Sequence, residues 1–264
     1  MSRVGIWARV EKLHKSGLSI EASQNRGYRL ASEPDILIRP LLQAWLQNCN
    51  VDIPFYLFEN TDSTNSEAER LLTNGQDAPF AVMSHKQNAG RGRMGRKWHS
   101  PKGGNLYLSI ALRPNVELLK FQNFTLWQGI SICNFLKDHT GIENLSVKWP
   151  NDLISENKKL GGMLTEASID CDQVRSIVFG IGLNINSSIS HFPQSIKDKS
   201  TSLKEISKVS WRMHELAAKI TKVCLKASEE CINSEADKKL IKEWRRMDFL
   251  YGKKVQIIKL QFDY

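Results

Sequence analysis

Aspartate and glutamate are missing from the whole stretch between Ser84 and Arg113, which excludes an internally neutralised surface loop there. Cysteine is sparse: Cys49, Cys133, Cys171, Cys224 and Cys231 are odd in number, scattered, and form no CxxC pair. Free thiols in a reducing cytosol are therefore expected, not a disulfide framework or a zinc site. The N-terminus carries charges but no apolar signal-peptide core. The longest apolar runs, near residues 106–112 and 177–185, fall well short of the roughly 20 residues of a membrane helix. No internal repeat or low-complexity segment occurs, so the expectation is a soluble cytoplasmic protein that does not bind membranes. The 264 residues, 41% hydrophobic and 25% charged, suffice for a substantial core. With 37 Lys and Arg against 28 Asp and Glu, the formal charge of +9 favours an anionic partner without naming it.

The acid-free stretch carries Lys86, Arg91, Arg93, Arg96, Lys97 and Lys102 around Gly90, Gly92 and Gly95. Glycines let backbone N–H groups stay open, and guanidinium forks bind phosphate or carboxylate with paired hydrogen bonds, so the loop is suited to hold an anion. So much like charge in one segment repels itself, and the loop is expected to be mobile until a ligand neutralises it. The three glycines spell GxGxxG, but the dinucleotide motif needs a following helix. Arg96-Lys97-Trp98-His99-Ser100-Pro101 and then Gly103-Gly104 cannot start one. A solvated basic loop and a generic nucleic-acid patch are the plainer alternatives.

The wider order separates these readings. Gln87-x-x-Gly90-Arg91-Gly92-Arg93-x-Gly95-Arg96-Lys97-Trp98, followed by Ser100-Pro101 and Gly104-Asn105-Leu106-Tyr107, resembles the signature loop of biotin protein ligases. Other segments carry the same resemblance. Asp62-Ser63-Thr64-Asn65 could simply cap a helix near 66–72, but a matching sequence precedes the basic loop in those enzymes. Lys148-Trp149-Pro150-Asn151-Asp152, Lys159-Leu160-Gly161-Gly162-x-Leu164 and Gly180-x-Gly182-x-Asn184 follow in the family's order.

The resemblance implies a fold and a set of roles. The fold is α/β (α+β), a mixed sheet flanked by helices, related to class II synthetases. Ser63, Thr64, Asn65 and Gln87 contact the biotin ureido ring, whose carbonyl and two N–H groups suit short polar partners in a dry pocket. Gly90, Arg91, Gly92, Arg93, Lys159, Leu164, Gly180 and Gly182 complete the biotin site. Arg91, Arg93 and Lys159 are the catalytic cations, because two anions must approach each other before a carboxylate can be phosphorylated. Arg93, Arg96, Trp98, Asn151 and Asn184 fall on the ATP or adenylate side. No metal-ligand cluster is visible, so Mg²⁺ would arrive with the ATP phosphates.

The implied reaction joins biotin and ATP to biotinyl-5′-AMP, then transfers biotin to a lysine of a biotin carboxyl carrier protein. Two alternatives remain: a biotin-sensing DNA-binding repressor with weak or lost catalysis, and a lipoate or octanoyl transfer enzyme of the same superfamily. A homodimer is left open.

In chain order, residues 2–15 read as a helix and 18–30 as a hairpin, with basic residues dominating. They are similar to the recognition helix and wing of a winged helix, ending in Gly27-Tyr28-x-Leu30. The helices that would pack behind are not in this sequence, and this weighs against DNA as a partner. Further elements are expected as helices at 41–46, 121–136, 201–232 and 240–249, and as strands at 55–58, 106–112, 146–149 and 176–181. Residues 251–258 resemble the first strand of the family's SH3-like β-domain. The expected division is a partial winged helix at 1–30, a catalytic domain at 31–245 and the start of a truncated β-domain at 246–264. With that β-domain incomplete, adenylate formation is expected to survive weakly and transfer to be impaired.

Overall fold

The computed structural model describes residues 3–233 and 235–255. The chain opens with α1 (Arg3–Lys15) and the antiparallel hairpin of β1 (Ser19–Ser23) and β2 (Gly27–Ser32). Asn25 and Gly27 turn the chain at φ of 61° and 84°, values that asparagine and glycine tolerate best. The hairpin runs two residues past the expected boundary at 30. Leu18 is buried, whereas Val4, Trp7 and Tyr28 stay exposed.

Residues 33–38 lead into α2 (Arg39–Asn48), where Pro40 occupies the first turn and its missing N–H costs nothing. The chain continues with β3 (Phe55–Phe58), α3 (Thr64–Thr73), β4 (Phe80–Ser84), β5 (Asn105–Leu112), the short β6 (Val116–Glu117) and α4 (Phe124–Thr140). Then come β7 (Leu145–Lys148), β8 (Asp152–Ser155), β9 (Lys158–Asp170) and β10 (Gln173–Asn184), followed by α5 (Gln194–Lys197), α6 (Leu203–Ser207), α7 (Met213–Ile232) and α8 (Glu235–Met247).

The main sheet has the order β3-β4-β5-β10-β9-β8-β7, with β6 on the start of β10. β3 and β4 are parallel and the other neighbours antiparallel, so the sheet is mixed, as expected. Helices α2, α4, α7 and α8 pack together with one face, and α3 packs on the other against β4, β5 and β10. The larger apolar core lies under the first group. The smaller, built from Ala68, Leu72, Phe80, Val82, Ala111 and Val178, lies under α3. Strand β5 sits between both layers, and every one of its residues is buried. Its alternation therefore divides two interiors: Leu106, Leu108 and Ile110 face the large core, while Ser109 faces the N-terminus of α3.

Of the β9–β10 hairpin only 176–181 was expected as a strand, and β4, β6, β8 and β9 were not anticipated. Both hairpin turns are two-residue links with left-handed backbone, Glu156-Asn157 (φ 48° and 66°) and Cys171-Asp172 (φ 46° and 64°). Such turns usually announce themselves through Asn-Gly or Asp-Gly, and neither pair does. The expected 201–232 helix is instead α6 and α7, separated at Lys208, which takes a left-handed φ of 62°. The last helix, α8, begins earlier than the expected 240 and ends at Met247, short of the expected 249 and past the expected domain boundary at 245. Of the strand expected at 251–258, residues 251–255 form a turn and irregular chain, and 256–258 lie outside the described residues.

The linker at 33–38 is pinned from three directions. Ile38 N–H donates to Nε2 of buried His214 on α7 at 2.8 Å, His85 Nε2 lies 2.7 Å from the Leu37 carbonyl, and Gly104 N–H donates to the Asp35 carbonyl at 3.2 Å. His214 Nδ1 faces Glu33 Oε2 at 3.5 Å, but burial favours the neutral form of both. It raises the Glu33 pKa and pushes His214 down to about 4. This contact is therefore not a working ion pair.

The unfolded imidazole, with a pKa of about 6.5, binds a proton before the folded one does. The stability that neutral His214 contributes is complete above about pH 6.5 and is lost as pH falls toward 4, by on the order of 3 kcal/mol. Urea unfolding of the parent and of His214→Gln checks this: the variant should lose less stability between about pH 7 and pH 4.5, because glutamine keeps an acceptor for Ile38 and binds no proton there.

Candidate active site

One cleft gathers segments that are far apart in sequence. It is lined by Ser63, Thr64 and Asn65 at the start of α3, Gln87, and Arg91, Gly92, Arg93, Arg96, Lys97 and Trp98 of the basic loop. Asn151, Asp152, Lys159, Gly162, Met163 and Leu164 of the β8–β9 region and Gly180, Ile181 and Gly182 of β10 complete it. Lys97, Asp152, Gly162, Met163 and Ile181 were not among the expected site residues. Gly162 was legible in the Gly-Gly pair, and Lys97 as one more cation of the loop. The exposure of Met163 and Ile181 depends on how β9 and β10 pair.

The floor is bare backbone. Gly180 stands opposite Ser109 and Leu164, and Gly182 opposite Tyr107 and Gly162. Alternation on β10 puts both glycines on the same face. A Cβ at Gly180 would strike the Asn65 amide, and one at Gly182 the Trp98 indole. Trp98 lies across this floor. Its Nε1 is buried with no hydrogen-bond partner among the described residues.

The walls are held by side chains that double as helix caps. Ser63 occupies the N-cap position of α3 without a side-chain capping bond. Gln87 Oε1 instead accepts from Thr64 N–H at 2.8 Å and from Thr64 Oγ1 at 3.2 Å. Gln87 Nε2 donates to Ser100 Oγ at 2.9 Å, which ties α3 to the far limb of the loop. Thus the simple capping role of 62–65 is not what the structure contains, and the Ser63 hydroxyl is left for a ligand. Asn65 is more committed. Its Oδ1 accepts from buried Ser109 at 2.6 Å, and its Nδ2 donates to Glu166 at 2.8 Å and to the Leu164 carbonyl at 3.3 Å. A ligand could use only the remaining lone pair of that amide oxygen. Nearby, the Arg70 guanidinium holds the Asp62 carboxyl well below the usual range.

The loop closes on itself: Gly92 N–H donates to the Arg96 carbonyl at 2.7 Å and Trp98 N–H to the Gly90 carbonyl at 2.8 Å. Gly95 has the positive φ of 69° expected of such a turn, and Met94 shares it at 55°. Gly90 is required for another reason, since its missing Cβ leaves room for the Trp98 carbonyl at 2.7 Å. Arg93, Arg96 and Lys97 have no side-chain partner among the described residues. Arg91 does: its Nη2 lies 2.8 Å from Glu166 Oε2 and 3.5 Å from Glu69 Oε2. Burial and the neighbouring Glu166 carboxylate raise the Glu69 pKa, with Arg91 opposing them.

On the opposite side, Lys159 Nζ lies 2.7 Å from Asp152 Oδ1 and 5.3 Å from the Trp98 ring centroid. Asn151 is locked onto β9, its Nδ2 donating to the Met163 carbonyl at 2.7 Å. Asn184 does not line the cleft. It is buried, and its Nδ2 donates to the Thr201 carbonyl at 2.9 Å. Thr201 N–H in turn donates to the Lys159 carbonyl at 3.0 Å, so Asn184 braces the strand that carries the lysine. Gly90 likewise shapes the loop from behind, without lining the main cleft.

The chain belongs to the Biotin/lipoate A/B protein ligase family, which it matches over residues 57–184. A biotin protein ligase from Aquifex aeolicus, solved in complex with biotin and ATP, superposes with a TM-score of 0.59 at 30% identity, covering 75% of this chain and 80% of that one. The bifunctional ligase/repressor BirA of Bacillus subtilis is 35% identical over 204 residues, covering 77% of this chain. This chain spans 62% of that relative's length. The Escherichia coli BirA is 28% identical, with 98% of this chain and 78% of the relative covered.

The floor geometry makes a direct prediction. Gly180→Ala should push Asn65 off both Ser109 and Glu166 and destabilise the fold by ~2 kcal/mol. Urea midpoints of the parent and variant measure this.

Proposed function

We propose that the chain is a biotin protein ligase acting on biotin, ATP and a biotin carboxyl carrier protein. The observation that carries this reading is the convergence of Arg91, Arg93 and Lys159 on one glycine-floored cleft whose other wall offers Ser63, Thr64 and Gln87. A flat cyclic urea fits a floor without side chains, with short polar groups at its edge. The carboxylate end would then lie toward the cations.

Adenylation requires a biotin carboxylate oxygen to attack the α-phosphorus of ATP. A new oxygen–phosphorus bond forms, the bond to the bridging oxygen breaks, and pyrophosphate leaves with the electron pair. The obstacle is repulsion between anions, and fixed guanidinium and ammonium groups lower it without reorganising. In this reading Arg91 and Arg93 hold the carboxylate and phosphate charge, and Lys159, oriented by Asp152, follows the carboxylate into the mixed anhydride. Arg96, Trp98 and Asn151 border the nucleotide. Among the described residues no three acidic, histidine or cysteine side chains gather as a metal site, so magnesium would enter as the counterion of ATP. In the second step a carrier lysine amine attacks the acyl carbon, an amide forms, and AMP departs.

The unit of α1, β1 and β2 is read as part of a winged helix, with exposed Arg9, Lys12, Lys15, Arg26 and Arg29. It supports a second reading, a biotin-sensing DNA-binding protein. Binding to duplex DNA that tightens with biotinyl-adenylate and weakens with salt would favour it. No helix among the described residues is long and apolar enough to cross a membrane.

The deciding assay is biotin-dependent exchange of pyrophosphate into ATP by the 264-residue chain. Exchange should require biotin, should not be supported by lipoate, and should fall at least roughly 100-fold in both Arg91→Ala and Lys159→Ala. Exchange that ignores biotin, or survives in both variants, would overturn the assignment.

A further inference from the structure

Glu166 belongs to none of the motif segments, yet it meets the loop more closely than any other acid. Its Oε2 accepts from Arg91 Nη2 at 2.8 Å and from Asn65 Nδ2 at 2.8 Å. Asn65 is fixed in turn by the buried Ser109 hydroxyl, and Gly180 leaves room for it. A chain of contacts thus runs from the sheet interior to the loop. Glu69, on α3, approaches the same Arg91 nitrogen from the other side at 3.5 Å. Asn88 and Ala89 N–H tie the start of the loop to the Thr61 and Asp62 carbonyls, but from Gly90 to Trp98 the backbone bonds are internal, and the remaining cations there are unpaired among the described residues. The two glutamates therefore supply the ionic tie between the loop's first limb and the body of the protein.

We propose that Glu166 is a positioning residue for the anion-binding loop: seated by Asn65 and assisted by Glu69, it draws the Arg91 guanidinium onto the sheet before any anion arrives. The ligand then meets a loop whose entry arginine is already placed, and less of its binding energy is spent on ordering. Both contacts use Nη2, so Nε and Nη1 remain to face the cleft. The kinetic consequence rests on the adenylation reading, while the structural consequence does not.

Glu166→Gln keeps an acceptor for Asn65 and removes only the charge. Two measurements on the full chain test it. Without ligand, trypsin should cut the loop at Arg91, Arg93, Arg96 or Lys97 faster in the variant than in the parent. In pyrophosphate exchange, KM for biotin should rise roughly fivefold with kcat within about twofold, as loss of a part-exposed ion pair implies. Added salt should raise the parent's KM toward that of the variant. Glu69→Gln should shift both readouts in the same direction by less, and it decides the matter if Glu166→Gln does not fold. Unchanged cleavage together with unchanged KM would overturn the proposal. So would a lower KM, because Glu166 would then be competing with the substrate for Arg91. A parent without exchange activity would sink the functional reading, and the trypsin comparison would still judge the positioning role.

Discussion

The cleft depends on one electrostatic constraint: several like charges must be held close to a sheet without neutralising them. Arg93, Arg96 and Lys97 can serve an anion only if the protein itself leaves them unpaired, and a segment of that kind repels itself. The chain meets the constraint with backbone. Bonds between Gly92 and Arg96 and between Gly90 and Trp98 close the loop on itself, and the Trp98 ring rests where Gly162 and Gly182 have no side chains. Arg91 alone among the loop arginines is partly neutralised, by acids on α3 and β9.

That arrangement ties the site to the fold's two-layered interior. β5, and β10 from Ile177 to Ile181, are buried on both faces, so their alternation gives one side to the large core and the other to α3 and the cleft. Ser109 shows the consequence. It is a fully buried hydroxyl in the middle of an apolar strand, which would cost stability if left unpaired. It lies 2.8 Å from Thr64 Oγ1 and 2.6 Å from Asn65 Oδ1, with its single proton for one of them, and so fixes the helix start that forms the cleft's polar wall. The turn at Gly104 is held as firmly. Its carbonyl accepts N–H groups from Ile185, Asn186 and Ser187, and its own N–H binds the Asp35 carbonyl. Asn186 also reaches Asp35 and the Trp211 carbonyl. The end of the cationic stretch, the end of β10 and the linker from the N-terminal unit therefore share one hydrogen-bonded junction.

The placement of Lys159 and Arg91 on two sides of the cleft also follows from topology. Lys159 begins β9, and its backbone is bracketed by Lys199 and Thr201, while its ammonium is steered by Asp152 on the neighbouring strand. Arg91 comes from a loop anchored at α3. The two cations are thus carried by separate elements of the fold.

Much of the site was legible from residue order alone, because glycine, arginine and lysine at fixed spacing carry their chemistry locally: turns, open N–H groups and anion-binding forks need no distant partner to be recognised. The helices α1, α3 and α4 and the strands β3 and β5 were legible for a similar reason, through periodicity. The long β9–β10 hairpin and the β8–β9 turn before it were not, since they turn at Cys171-Asp172 and Glu156-Asn157 in place of Asn-Gly or Asp-Gly, and the left-handed backbone of Cys171 and Glu156 is imposed by the paired strands. Likewise Asn184, expected on the adenylate side, holds the Thr201 carbonyl, and Asn65 makes bonds to Ser109 and Glu166. Those roles depend on which partner stands opposite across the sheet. Side chains type by type reveal what chemistry a segment can offer, but the pairing of strands settles which polar groups are consumed inside the protein and which are left for a substrate.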